Sequence, residues 1–248
     1  DASMAADQIY LLDLVTGEDR QSAVYEEMLR SRRVDGLVLV ESQASDPRLQ
    51  WLAQNRFPFV LIGNPVGADQ VHSVDNDNVG AAEIATNHLF EKGYRNPAFL
   101  AARDGITVSD DRIAGYRRAM GDRPLRVAHA DFGAEAAFAV TRDLFTRHPD
   151  VDSVVVLDDY MAFGTVGALR QAGKRVGPDV GVVSFNDTHL CDMVEGGLTS
   201  VSLNMPMLVD SACDRLLSIV EKKKVEGPLR QIVPCELKAR RSSFGRSA

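Results

Sequence analysis

Polar side chains with fixed donor and acceptor geometry occur at several places where a predicted strand ends or a predicted helix begins. They comprise amides, carboxylates and one guanidinium group, on Asn64, Asn76, Arg112, Asp158, Asn186 and Asp187. Groups of this kind suit the hydroxyls of a sugar or of another polar small molecule. Taken singly, each Asn or Asp is more simply explained as a turn residue. Taken together, they predict a binding site for a polar ligand.

The acids Asp158 and Asp159 show how such side chains are positioned. Ser153 to Leu157 is a β-branched apolar run, and Tyr160 to Gln171 has apolar residues near helical spacing before Gly173. The two acids therefore lie on the turn that leaves the carboxyl end of a buried strand, where ligands bind in parallel sheets. A single Asp at this point most often caps the helix. With two adjacent acids, one can cap while the other faces the ligand.

Arg112 is the candidate whose residue type is least readily explained by a structural role in a turn. It lies near the start of a helix predicted over Asp110 to Met120, where a cation opposes the helix dipole. We expect it to make a charge-assisted hydrogen bond to the ligand. Its replacement by Ala is then expected to weaken binding by about 1.5 to 3 kcal/mol and to leave folding little changed.

Motifs for catalysis and cofactor binding are missing from the sequence. No predicted strand is followed by Gly-x-Gly-x-x-Gly or by a P-loop, and Ser184 lacks the flanking glycines of a nucleophile elbow. The three cysteines, Cys191, Cys213 and Cys235, have neither a metal-ligand spacing nor a pairing pattern. We therefore expect a protein that is not an enzyme, that needs no cofactor or metal, and that keeps its thiols reduced in the cytoplasm.

The elements that must position these residues alternate between strand and helix almost throughout the chain, which predicts an α/β fold with parallel sheets. So many strands favour two lobes over one open sheet. The predicted strands are Ile9 to Leu14, Val34 to Val40, Phe59 to Ile62, a short strand within Val71 to Asn78, Ala98 to Ala101, Leu125 to Ala130, Ser153 to Leu157, Val180 to Phe185, Thr199 to Leu203 and Gln231 to Leu237. The predicted helices are Gln21 to Arg30, Pro47 to Gln54, Gly80 to Lys92, Asp110 to Met120, Glu135 to Arg147, Tyr160 to Gln171 and Met207 to Lys222.

The charge and hydropathy of the chain restrict its partners. The formal net charge is −7, so the basic surface that dominates nucleic-acid affinity is not evident in these 248 residues. No apolar run approaches membrane-spanning length, and the first residues do not have the basic-then-apolar pattern of a signal peptide. We expect no membrane partner, and any DNA binding must come from another segment.

Several short motifs occur in a specific order and spacing. They are Arg33-Val-Asp-Gly-Leu-Val-Leu, Val74-Asp-Asn-Asp-Asn-Val-Gly-Ala, His88-Leu, Gly93-Tyr-Arg, Arg112-Ile-Ala-Gly-Tyr, Asp158-Asp-Tyr-Met-Ala, Pro178-Asp-Val-Gly-Val-Val-Ser-Phe-Asn-Asp, Leu198-Thr-Ser-Val and Pro234-Cys-Glu-Leu with Arg241-Ser. With these motifs, nearly the whole chain resembles the effector-binding core of the LacI/GalR family of bacterial transcriptional regulators. Within that family it is most similar to the maltose-operon repressor branch.

The resemblance implies a periplasmic-binding-protein-like type I fold, with two Rossmann-like lobes that carry parallel sheets and are joined by three crossovers. The N-terminal lobe is expected at residues 1–77 plus 204–232, and the C-terminal lobe at residues 78–203 plus 233–248. The family core opens with a further strand and helix, which we expect to be missing here together with the helix-turn-helix DNA-binding head. A homodimer is implied, with part of its contact on Leu190, Met193 and Val194.

The resemblance also implies roles for individual residues. Arg112 would grip an effector held between the lobes, with Asp158, Asn186, Asn64 and Asn76 as further ligands. The family often has Asn where this chain has Asp158, and Asp where it has Asn186. The implied function is sugar sensing with allosteric control of operator DNA binding, the effector being an α-glucoside such as maltose. The alternative is a sugar-binding component of an ABC uptake system with the same fold.

Overall fold

The structure is a computed structural model that describes residues 27–28, 30–31, 34–40, 43, 46–68 and 70–245. The predicted strand Ile9 to Leu14 and the larger part of the predicted helix Gln21 to Arg30 lie outside these residues. The described part of the chain divides into two compact units, one containing its residues up to 74 together with 206–231 and the other containing residues 75–205 and 232–245. It therefore passes three times from one unit to the other.

Strands and helices alternate along the described part of the chain, as the hydrophobic patterns predict. The strands are β1 Leu37–Val40, β2 Phe59–Ile62, β3 Ser73–Asn76, β4 Pro97–Ala101, β5 Val127–His129, β6 Ser153–Val156, β7 Gly181–Phe185, β8 Thr199–Ser202, β9 Arg230–Val233 and β10 Glu236–Lys238. The α-helices are α1 Pro47–Gln54, α2 Asn78–Glu91, α3 Thr107–Met120, α4 Ala134–Arg147, α5 Asp159–Gln171 and α6 Met205–Val220. Two 3-10 helices span His189–Met193 and Arg241–Ser243.

The first sheet has four strands in the order β1-β2-β3-β9, and its pairs β1–β2 and β2–β3 are parallel. Helix α1 connects β1 to β2. It begins after Asp46, whose carboxylate accepts the backbone N–H of Arg48, and Pro47 occupies its first turn, where its missing N–H costs nothing. Leu49 and Leu52 of this helix are buried in the core of the first unit.

The second sheet has six strands in the order β10-β8-β7-β6-β4-β5. Its pairs are parallel except for β10–β8, which is antiparallel. Strands β4, β6 and β7 are buried on both faces, which explains their unbroken apolar and β-branched sequences. The strand order reverses at β4, because β4 connects through α3 to β5 on one side, whereas the chain returns through α4 to β6 on the other. The carboxyl ends of β4 and β6 thus flank a topological switch point, the usual place for a ligand in such a sheet.

Two helix pairs cover this sheet, and each pair approaches closely at a glycine. Gly115 of α3 lies against the backbone of α2, and Gly164 of α5 lies against the first turn of α4. The crossover from β4 to β5 runs in one direction along the sheet, and those from β5 to β6 and from β6 to β7 run in the other. Because such crossovers are right-handed, α3 lies on one face of the sheet and α4 and α5 lie on the other. The helix starts are therefore held rigidly over the carboxyl ends of the strands.

Several element boundaries differ from the sequence-based expectation, and two of these differences have an identifiable physical cause. The last strand, expected from Gln231 to Leu237, is two strands in different sheets, because Pro234 has no N–H to continue a ladder and separates β9 from β10. Helix α3 begins at Thr107, three residues before the predicted start, and its N-cap Ile106 makes no side-chain capping bond that could mark the boundary in the sequence. Arg112 consequently lies in the second turn of α3 and not at its start.

None of the helices in the described part of the chain has the length and hydropathy that a membrane crossing requires.

Candidate functional site

Arg112 is the buried cation at the centre of the candidate site, and only 3% of it is exposed. Its Nε donates to Asn78 Oδ1 at 3.0 Å and its Nη1 donates to the Leu157 carbonyl oxygen at 2.5 Å. The guanidinium carbon lies 4.2 Å from the centroid of the Phe185 ring, a cation–π geometry. Burial lowers the pKa of Arg112 to about 10, against the opposing effect of nearby groups that include Asp158 and Asp75. The side chain is therefore a fixed positive charge at neutral pH.

The contact with Leu157 connects the two sides of the switch point. Arg112 belongs to α3, which follows β4, and Leu157 is the first residue after β6. Among the described residues, no acceptor is found for Arg112 Nη2, so its hydrogen-bonding capacity is not exhausted by the fold. The arrangement offers a positioned donor for a ligand.

A series of hydrogen-bonded polar side chains positions the Nε side of the Arg112 guanidinium group. Asp75 Oδ1 accepts Asn78 Nδ2 at 3.1 Å and the backbone N–H of Asn76 at 2.8 Å, and Asn78 then accepts from Arg112. Asp75 and Asn78 are both buried. Sequence reasoning did not single out either residue for the site. The available signal was the polar run Asp75 to Asn78, which is unusual for the start of a buried helix.

Asp158 caps α5. Its Oδ1 accepts the backbone N–H of Met161 at 2.7 Å, satisfying one of the free amides of the first turn. Burial raises the pKa of Asp158, and the nearby charge of Asp159 raises it further. The N–H of Met161 and the charge of Arg112 act in the opposite direction. The residue is half-buried, so a ligand at the carboxyl end of β6 can reach its carboxylate.

Asp159 turns into the interior and not toward a ligand. It is 1% exposed and accepts the hydroxyl protons of Ser184 and Ser200, the latter at 2.7 Å. Its second oxygen accepts the N–H of Thr188 at 2.8 Å. The carboxylate thus fixes the loop after β7 to the start of α5.

Asn186 follows β7 directly and has an unusual backbone conformation. Its φ is 100° and that of Asp187 is 51°, in the left-handed region, which residues other than Gly enter at a cost of about 1–3 kcal/mol. The backbone N–H of Asn186 donates to Val201 O at 3.0 Å, and that of Asp187 donates to Ser200 Oγ at 3.0 Å. Asn186 is half-buried, which leaves its amide accessible at the third of three neighbouring strand ends.

The other two predicted ligands have different surroundings. Asn76 is 4% exposed, and its Nδ2 donates to the carbonyl oxygens of Leu203 at 3.0 Å and Val233 at 3.1 Å, so that only its Oδ1 could serve a ligand. Asn64 follows β2 in the first unit, and its backbone oxygen accepts from Val66 N at 2.9 Å. The structure places Arg112, Asp158, Asn186 and Asn76 in the second unit. The ligand roles of all five residues stay predictions.

The two thiols of the second unit, the buried Cys191 and the half-buried Cys235, are unsuited to redox or metal chemistry. Burial raises the pKa of Cys235 to about 11 and that of Cys191 to about 12. Both are therefore neutral at physiological pH, and neutral thiols are weak nucleophiles and weak metal ligands. Within the described residues, no group of His, Cys, Asp and Glu side chains forms a candidate metal site.

Comparison with known proteins places the chain in a family. The family model described as a periplasmic binding protein-like domain matches residues 86–243. The HTH-type transcriptional regulator CelR of Thermobifida fusca is 32% identical over 222 residues, which are 86% of this chain and 65% of that protein. The chain thus spans less than two thirds of this relative.

Two solved structures agree in fold. A complex of the transcriptional regulator CelR with cellobiose matches with a TM-score of 0.82 at 30% identity, over 89% of this chain and 69% of that one. A regulatory protein of the LacI family from Chloroflexus aggregans matches with a TM-score of 0.83 at 28% identity, over 92% of this chain and 84% of that one. The chain therefore belongs to the periplasmic-binding-protein-like domain family and is a homologue of the LacI-family transcriptional regulators, as its motifs predict.

Proposed function

We propose that the chain is the effector-sensing core of a LacI-family transcriptional repressor and that its effector is a neutral sugar. In this proposal the two compact units are the two lobes of the core, and the sugar is bound by Arg112, Asp158 and Asn186 at the carboxyl ends of β4, β6 and β7. Asn64 and Asn76 are proposed as further ligands.

The observation that carries this proposal is the mixture of groups beside the switch point. It contains one buried cation, one half-buried carboxylate and one amide, each on the segment that follows one of three neighbouring strands. Sugar hydroxyls both donate and accept, so they can use all three groups at once. A phosphorylated ligand would instead favour several cations and would be repelled by Asp158. A neutral disaccharide fits these charges.

The relatives support the class of ligand and the regulatory role. One of them is known as a complex with cellobiose and is named a transcriptional regulator. For this chain we propose a disaccharide, maltose or cellobiose, with maltose suggested by the resemblance to the maltose-operon repressors. The names of the relatives favour this role over a component of an uptake system.

Operator DNA would be bound by a helix-turn-helix segment outside these 248 residues. The net charge of −7 makes the core itself a poor partner for phosphates. Sugar binding would alter the affinity for the operator because the two sites share one conformational equilibrium. We also propose that the protein acts in the cytoplasm, where the operator is.

A homodimer completes the proposal, because operators of this kind are usually read by two-fold symmetric proteins. An apolar groove of about 370 Å³ between α5 and the first 3-10 helix is the surface we assign to it. We call it the α5 groove, and it is lined by Phe163, Val166, Gly167, Arg170, Leu190, Met193 and Val194. Met193 is 74% exposed in the single chain, which is a large apolar exposure that a second copy would remove.

Calorimetric titration with maltose, cellobiose, glucose 6-phosphate and maltose 6-phosphate tests the effector. We expect one of the neutral disaccharides to bind and the phosphorylated sugars to bind more weakly or not at all. The informative variant is Asp158→Asn, since Asn caps a helix as well as Asp does and the fold should be retained. Loss of a charge-assisted hydrogen bond should weaken binding about tenfold. Tight binding of a phosphorylated sugar alone, or an unchanged affinity in Asp158→Asn, contradicts the proposed site.

A further inference from the structure

The turn that carries Asn186 is made of two consecutive left-handed residues, and this conformation has to be maintained by its surroundings. Neither Asn186 nor Asp187 is a glycine, yet their φ angles are 100° and 51°. Asn and Asp tolerate the left-handed region better than other residues but still prefer to leave it. The direction of the Asn186 side chain depends on this turn, because a return to negative φ would rotate it away.

The side chain that holds Asp187 comes from the C-terminal segment. Arg240 Nη1 donates to Asp187 Oδ1 at 2.7 Å and to the carbonyl oxygen of Leu198 at 3.0 Å, and Arg240 Nε lies 3.0 Å from Asp192 Oδ1. The side chains of Arg240 and Asp187 are 23% and 16% exposed, so this ion pair is shielded from solvent. Shielding makes it stronger than an ordinary surface pair.

Arg240 is itself fixed at its backbone. Thr199 Oγ1 accepts the N–H of Arg240 and donates to its carbonyl oxygen, each at 2.8 Å. The same hydroxyl lies 2.7 Å from Ser243 Oγ, which lies 2.8 Å from Nε2 of the buried His88. The base of the Arg240 side chain therefore cannot follow a movement of the turn.

A glycine lets Arg240 lie across the loop. Gly197 has a φ of 83°, and a Cβ atom there would lie 2.5 Å from Arg240 Cδ. Only a residue without a side chain allows this approach together with this backbone conformation. The close packing shows that the position of Arg240 is built into the loop and is not a chance contact of a long side chain.

We infer that Arg240 is a positioning residue for effector binding, which holds Asp187 so that the left-handed turn directs Asn186 to the ligand. The effect on ligand affinity rests on the proposed function, whereas the effect on the turn does not. Arg240 acts through Asp187, and its removal releases the turn while the ligand groups Arg112 and Asp158 stay in place.

Hydrogen exchange of the 248-residue chain without ligand tests the effect on the turn. Arg240→Met keeps an apolar stem over Gly197 and removes the charge, and we expect amide exchange in the segment 186–194 to become at least about tenfold faster. Arg240→Lys keeps the charge and loses the planar fork, so its effect should be intermediate. The matched control is Arg175→Met, because Arg175 also pairs with an Asp, Asp179 at 2.6 Å, but at a surface position 74% exposed. Unchanged exchange in Arg240→Met overturns the inference.

Titration with maltose and cellobiose tests the consequence for binding. We expect Arg240→Met to weaken the binding of whichever sugar binds the wild type by about tenfold, and Arg175→Met to leave it unchanged. Leu144→Ala, in the core of α4, supplies a destabilised chain with an intact turn, and it should bind like the wild type. Faster exchange with unchanged affinity reduces Arg240 to a structural residue and overturns the positioning role. A wild type that binds neither sugar refutes the proposed effector, and the exchange result then decides alone whether Arg240 holds the turn.

Discussion

Arg112 Nη1 donates a hydrogen bond to the carbonyl oxygen of Leu157, so that a side chain of α3 fixes the end of β6. Arg112 is therefore part of the interior as well as a candidate ligand group. This changes what its removal should do. The sequence alone suggested that truncation would affect binding and leave folding little changed, but the contacts with Leu157, Asn78 and Phe185 argue against that expectation.

We expect Arg112→Ala to destabilise the fold by about 3 kcal/mol or more, since it leaves the buried oxygens of Leu157 and Asn78 without a donor. Urea denaturation followed by circular dichroism measures the free energy of unfolding. Arg117→Ala is the matched control, because Arg117 is exposed on the same helix and its loss should change stability by no more than about 0.5 kcal/mol. Equal stabilities of the two variants would remove Arg112 from the interior network.

Substitution by Ala should have opposite effects on stability at two glycines of α5. A Cβ at Gly164 would overlap the backbone oxygen of Ala134, whereas a Cβ at Gly167 would come no closer than 3.4 Å to Phe138. Gly164→Ala should therefore destabilise the chain by about 1–3 kcal/mol through overpacking. Gly167→Ala should gain up to about 1 kcal/mol of helix propensity. The urea midpoints of both variants test this, and a Gly164→Ala variant as stable as the wild type would show that α4 and α5 can separate at little cost.

The sequence predicts the local elements of this fold well because its strands are buried on both faces. Ser153–Val156 and Gly181–Phe185 lie within largely apolar, β-branched runs that are bounded by polar residues, and a buried strand is the local structure that suits such runs best. The boundary of α3 was missed because Ile106 gives no capping signal. The division of the last strand was signalled by Pro234, but assignment of its halves to two sheets depends on partners distant in sequence.

The sequence also identifies which strand ends carry polar groups, but it does not show what those groups contact. Asp158 was open to both interpretations, cap or ligand, and the structure shows the cap. Asn78 and Arg112 are 34 residues apart, and their contact follows from the packing of α2 on α3 at Gly115. Such contacts depend on side-chain directions in the folded core, which no local pattern contains.

Stability should fall as the pH drops below neutral, partly through His88. Burial lowers the pKa of His88 from 6.5, with Lys92 adding to this and Glu91 opposing it. Below pH 6.5 the unfolded chain therefore binds a proton at this ring, whereas the folded chain does not yet do so. The contribution of the neutral ring to stability is fully present above pH 6.5 and is lost as the pH falls through the lowered pKa. The pKa of His72 is also lowered, mainly by burial and to a smaller extent by the charge of Arg215.

Urea unfolding at pH 7.5 and at pH 5.5 measures this loss. His88→Gln cannot take up the proton and can still hydrogen-bond Ser243, so it should lose less stability between the two pH values than the wild type does. If His88→Gln loses as much stability between the two pH values as the wild type does, His88 does not contribute to the pH dependence.

The α5 groove should be the place where two copies meet. Burial of Met193, together with the apolar side chains of the groove around it, provides the driving force for association, and a charge introduced there would have to be desolvated without a partner. We expect sedimentation velocity at micromolar concentration to show a dimer for the wild type and a monomer for Met193→Asp. The control is Phe132→Asp, which places the same charge on an apolar residue that is 48% exposed and does not line the groove. It should remain dimeric. A monomeric wild type would refute the homodimer, and a dimeric Met193→Asp would place the interface on another surface.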